Sequence, residues 1–170
     1  MQLGYVMSRD KGAVDRTLSA LATRLAAQGL RLGGVVQSNV NCQPDGRCDM
    51  DAQVLPDGPV IRISQSLGAG ARGCKLDPGA LEDAAGLVSG RLNADTDLLI
   101  VNKFGKHEAD GRGFRPVIAD ALALDIPVLC GVGTLNLPAF QSFAGDLAEQ
   151  IEMTDPALDD WLARSLSERA

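Results

Sequence analysis

Residues 3–37 read LGYVMSRDKGAVDRTLSALATRLAAQGLRLGGVVQ, and their pattern decides the fold. The apolar run 3–7 predicts a short strand, and the polar residues 8–12 predict a turn. Val14, Leu18, Leu21 and Leu25 then recur on one face of a 3.6-residue period, which predicts a helix over 13–28 with Gly29 as its stop. A Gly- and Val-rich strand over 32–37 follows. Strand, turn, helix and strand in so short a stretch make a βαβ unit, whose crossover makes its two strands parallel.

The same alternation returns later in the chain. Asp77-Pro78 marks a helix start, with Leu81, Ala84, Ala85, Val88 and Leu92 as its buried stripe. The run 97–101 (DLLIV) reads as a buried strand, residues 102–115 as a long loop, and Pro116 as the opening of another helix. A second buried strand spans 126–130, and two helices follow, over 137–147 and after Thr154. Between the halves, residues 39–57 are polar and turn-rich. Pro-Asp-Gly at 56–58 joins 50–55 to 60–64 as a hairpin. The expected fold is α/β, a three-layer α/β/α arrangement with a mainly parallel sheet and an antiparallel hairpin at one edge. A single domain over 1–170 is expected, with 39–65 as an insertion and 137–170 as C-terminal helices.

Composition narrows the function. The chain has 170 residues, 45% of them apolar, which is ample for a core. A net charge of −6 disfavours bulk nucleic acid and anionic membranes, and 4% aromatic residues offer few platforms for base stacking. No apolar run has the length of a membrane span, and residues 1–7 lack a basic leader. These features predict a cytoplasmic protein whose four cysteines stay reduced.

Charge position says more than the total. Three Gly-containing loops, 8–12, 67–75 and 102–115, hold half of the basic residues and sum to +5, whereas the remainder sums to −11. In open α/β sheets, loops at the carboxyl ends of strands line the ligand crevice. Glycine lets backbone amides approach an anion closely, and Lys or Arg adds positive potential. The candidate ligand-binding residues are therefore Arg9, Lys11, Gly12, Arg72, Lys75, Asn102, Lys103, Lys106 and Arg112. A small anionic ligand is expected, ATP, GTP or molybdate being the candidates.

The first turn departs from the phosphate-binding P-loop G-x-x-x-x-G-K-[ST]. Lys11 precedes Gly12 instead of following it, and Ala13 stands where a hydroxyl would be sought. The strand over 97–101 ends in Asn102-Lys103, where a nucleoside triphosphatase carries a carboxylate that organises magnesium. Glu108 reads as a solvated loop residue, and His107, the only histidine, as ordinary surface. Cys42, Cys48 and Cys74 lie in loops and are candidate ligands of a transition metal, although their spacing is wider than structural zinc sites use. Cys130 sits in an apolar strand and reads as packing.

The segments 41–50 (NCQPDGRCDM), 71–77 (ARGCKLD) and 97–108 (DLLIVNKFGKHE), with 111–115, resemble an uncharacterised bacterial domain-of-unknown-function family associated with molybdenum-transport genes. More distantly, the order of elements resembles the nucleoside-triphosphatase and nucleotide-kinase branch of P-loop proteins. The resemblance implies a P-loop-type fold and a nucleotide- or oxyanion-binding role, accessory or regulatory in molybdenum metabolism. An unorthodox nucleoside triphosphatase and a cysteine-based metal-binding module are the alternatives. A homo-oligomer or a protein of the molybdenum pathway would be the macromolecular partner.

Overall fold

The computed structural model describes residues 2–66 and 75–170. In chain order its elements are β1 (Leu3–Val6), α1 (Ala13–Ala27), β2 (Leu32–Val40), β3 (Asp49–Val54), β4 (Val60–Arg62), β5 (Ser64–Gln65) and β6 (Lys75–Leu76). There follow α2 (Pro78–Arg91), β7 (Leu98–Phe104), α3 (Lys106–Ala109), α4 (Arg115–Ala123), β8 (Val128–Val132), α5 (Leu137–Ala144), β9 (Ala148–Gln150) and α6 (Asp155–Arg169).

Seven strands form one sheet in the order β4-β3-β2-β7-β8-β1-β9. The ladder from β2 to β9 is parallel, and β3 and β4 add an antiparallel edge. This is the expected α/β arrangement with a hairpin at one edge. Strand periodicity divides the core, because successive side chains point to opposite faces. Leu98 and Ile100 of β7 join Val6 and Leu129 beneath α1 and α6, whose Leu18, Leu21, Leu25, Leu158 and Trp161 cover that face. Leu99 and Val101 point the other way, into a core closed by α2, α4 and α5 through Leu81, Val88, Ile118 and Phe140. The sheet is thus the middle of three layers.

The helix starts follow local chemistry. Asp77 accepts a hydrogen bond from the Ala80 amide at 3.2 Å, and Pro78 opens α2, where a missing N–H costs nothing. Thr154 does the same for α6 through the Ala157 amide at 3.3 Å. α1 has no side-chain cap; Gly12, with φ of 77°, turns the chain into it from the left-handed region that favours glycine.

Three expectations need correction. The segment 102–115 is not a long loop: β7 runs on to Phe104, which is fully buried, and α3 follows. β9, too short to show periodicity, pairs with β1 in a stretch between the two expected C-terminal helices where no element was expected. Cys42 and Cys48 are joined as a disulfide, against the expectation of reduced thiols, because the 41–48 turn brings their Cα atoms to 4.0 Å. No helix among the described residues is long and apolar enough to cross a membrane.

Candidate functional site

The loops after β1 and β8 leave the sheet toward opposite faces, since β1 leads to α1 and β8 leads to α5. Such divergence opens a crevice at the carboxyl edge of a parallel sheet. A cavity of about 210 Å³ lies there, lined by the turn from Ser8 to Gly12, the first turn of α1, Asn102 and Lys103 at the end of β7, and Gly131 to Gly133 after β8. Of the candidate ligand-binding residues, Arg9, Lys11, Gly12, Asn102 and Lys103 line this cavity together. The lining carries three cations, Arg9, Lys11 and Lys103, against Asp10 and Asp15. Counted forward from Gly12 in the P-loop spacing, Ala13 falls on the lysine position and Val14 on the hydroxyl position, which corrects the placing of Ala13 at the hydroxyl. The Lys11 ammonium instead donates to the Gly46 carbonyl at 2.8 Å, inside the loop that the disulfide closes.

Asn102 is buried and fully oriented. Its Oδ1 accepts from the Gln37 amide at 2.9 Å, and its Nδ2 donates to Asp15 Oδ1 at 2.8 Å. Asn39 Nδ2 donates to the other oxygen of Asp15 at 3.0 Å, and Gln37 Nε2 donates to Asn39 Oδ1 at 3.1 Å. This network ties the carboxyl ends of β2 and β7 to the start of α1. Sequence reasoning missed Asp15, Gln37 and Asn39; the available signal was an Asp three residues after the glycine that opens the helix.

Glu108 and His107 are buried, not solvated or superficial. Glu108 Oε2 accepts from the Gly105 amide at 3.0 Å and Oε1 from the Phe114 amide at 3.3 Å, closing α3 onto α4. Burial pushes the Glu108 carboxyl up from its ordinary range despite these amides. His107 Nε2 donates to Glu82 Oε1 at 2.7 Å, and the Gly113 amide reaches the same oxygen at 2.8 Å. The Gly113 amide and then His107 hold the Glu82 carboxyl below its ordinary range.

The remaining candidates disperse. Lys106 borders a second cavity, beside Lys103. Arg112 lines a separate, open depression with Glu82 and His107, and Lys75 is exposed on β6. Arg115 donates to the carbonyls of Glu108 and Ala109 and lies over the Phe143 ring at 4.9 Å, so it serves packing. Arg72 and Cys74 lie outside the described residues. In the disulfide, Cys42 and Cys48 offer no thiolate to a metal, and no group of three or more His, Cys, Asp or Glu side chains that could hold an ion occurs among the described residues. Cys130 is buried in β8, where desolvation pushes its thiol far up, out of the range in which it would ionise.

The model of a family described as "Protein of unknown function (DUF2478)" matches residues 3–161. The chain is 36% identical over 160 residues to "Molybdenum import ATP-binding protein ModC 2" of Bradyrhizobium diazoefficiens, a match covering 94% of this chain but only 18% of that protein. Among solved structures, THEP1 from the hyperthermophile Aquifex aeolicus superposes with a TM-score of 0.68 at 17% identity, covering 99% of this chain and 98% of that one. A human cancer-related nucleoside triphosphatase gives 0.65 at 13% identity, covering 99% and 97%. The fold is that of P-loop nucleoside-triphosphatase-like proteins.

Proposed function

Because the chain belongs to the DUF2478 family of proteins of unknown function, whose P-loop-like fold sets the frame, we propose that it binds a nucleotide or another oxyanion, molybdate included, at the β1–α1 turn. The carrying observation is the crevice in which Arg9, Gly12 and Lys103 meet beside the first turn of α1. Arg9 and Lys103 would face the anion as charges, and the backbone around Gly12 would approach it closely. Asn102, held by Asp15 and the Gln37 amide, would present a fixed wall.

The turn is a degenerate P-loop in this reading. Magnesium, which a P-loop hydrolase uses, does not fit these residues. Asn102 supplies an amide where a carboxylate is needed, and Lys103 repels a cation. Both Asp15 oxygens are taken up by Asn39 and Asn102, and the Glu108 carboxylate by two backbone amides, which leaves Asp10 alone among the crevice carboxylates. The ligand is therefore held and not efficiently hydrolysed. The similarity to part of a protein named for molybdenum import supports an accessory or regulatory role in molybdenum metabolism.

Native mass spectrometry of the chain mixed with ATP, GTP or molybdate tests the binding. A complex with one ligand per chain supports it, and no complex with any of the three overturns it. Phosphate release from ATP with magnesium, no faster than in a Lys103→Ala variant, supports binding without turnover.

A further inference from the structure

Behind the crevice lies a second cavity of about 220 Å³, sharing only Gln37, Asn102 and Lys103 with the first. Its character is different. Val35 and Ala52 of the sheet, Ile63, Leu81 and Phe114 make an apolar chamber, with Met50 on its wall. Lys103 and Lys106 stand on the same lining, both exposed, and neither ammonium has a hydrogen-bond or ion-pair partner among the described residues. Glu108, the carboxylate on the lining, spends both oxygens on the Gly105 and Phe114 amides.

An apolar chamber with a few convergent polar groups is the usual form of a small-molecule pocket. An enclosed apolar cavity of roughly 150 Å³ accepts benzene, so this one has room for one or two fused rings. The free cations beside it call for a negative charge on the same molecule, since a charge-assisted contact is stronger than a neutral one. We infer that the cavity is a binding site for a small ring carboxylate, its one or two fused rings among Ala52, Leu81 and Phe114 and its carboxylate toward Lys103 and Lys106. The site shares Lys103 with the anion crevice but does not rest on the nucleotide reading, because its ligand needs no phosphate and neither Arg9 nor the turn at Gly12 lines it.

Titration of the full chain carrying ¹³C-methyl methionine, with indole-2-carboxylate and neutral indole as probes, tests this by NMR. The four methionines include Met50 inside the cavity and Met153 away from it. The expected result is a saturable shift of the Met50 methyl, with the acid binding about tenfold more tightly than indole. Lys106→Ala should bring the acid within about twofold of indole. Ala52→Met should block both probes, its fold checked by an unchanged Met153 signal and cooperative melting. A Met50 methyl unmoved at millimolar probe, or a folded Ala52→Met chain that binds like the parent, overturns the site. Acid binding unchanged in Lys106→Ala, an exposed position that does not threaten folding, overturns the carboxylate assignment. Failure of ATP or molybdate to bind would overturn the nucleotide reading and leave these outcomes untouched.

Discussion

Asn102 Nδ2 donates to Asp15 Oδ1 at 2.8 Å, joining the end of β7 to the first turn of α1. The contact makes the residue at the strand end a donor by necessity. Asn102→Asp replaces that donor with a second acceptor and sets two carboxylates against each other. The variant is expected to lose about 2 kcal/mol at pH 7. The deficit should narrow as the pH falls through the carboxylate range, because protonating one member restores a hydrogen bond. Urea unfolding at pH 7 and pH 4 checks both parts.

Glu82 gives a pH dependence of definite sign. The Gly113 amide and His107 lower its carboxyl in the folded chain. Its contribution is therefore present above the ordinary glutamate value near 4.3 and is lost as the pH falls through the lowered one. Glu82→Gln should be less stable than the parent at pH 7 and should show a flatter decline between about pH 5 and pH 3. Glu108 acts in the opposite sense: burial raises its carboxyl, so its contribution is full at low pH and declines as the pH rises through the raised value. Comparing parent and Glu82→Gln in denaturant titrations across that range isolates the first effect, since Glu108 is common to both.

Gly113 has φ of 62°, and a Cβ there would overlap Glu108 Oε1. Gly113→Ala must both adopt a left-handed conformation and displace a buried carboxylate from its amides. A loss of at least about 2 kcal/mol is expected in chemical denaturation. A loss below 0.5 kcal/mol, roughly that of an ordinary surface change, would contradict the described packing of α3 on α4.

The Cys42–Cys48 disulfide closes a short loop, at a sequence separation of 6. Two more thiols should react under denaturing conditions after reduction than before it. Reduction should also cost about 2 kcal/mol, the loop-closure entropy for so small a ring. Thiol titration and paired denaturation curves measure the two effects.

What the sequence disclosed and what it withheld have physical reasons. α1 and α2 announced themselves because burial of one helix face imposes a period, and the strands read at 97–101 and 126–130 because burial on both faces of the sheet leaves a continuous apolar run. β5, β6 and β9, two or three residues each, are too short to show any period. The crevice cations were legible because a parallel sheet sends the ends of β1 and β7 to the same edge. The bonds of Asn102 were not, since its partners lie 65 and 87 residues away. Glu108 looked solvated because the groups that hold it are backbone amides, which carry no mark in the sequence. Cysteine pairing was misread by reasoning from compartment to chemistry; proximity within the 41–48 turn decides it.

The central claim is an anion site at the β1–α1 turn, and thermal-shift titration with ATP, GTP, molybdate and sulfate tests it most directly. The parent chain should be stabilised by at least one of these at millimolar concentration, and Arg9→Ala with Lys103→Ala should require roughly tenfold more ligand for the same shift. No shift with any of the four ligands, or equal shifts in the parent and the double variant, would contradict the account.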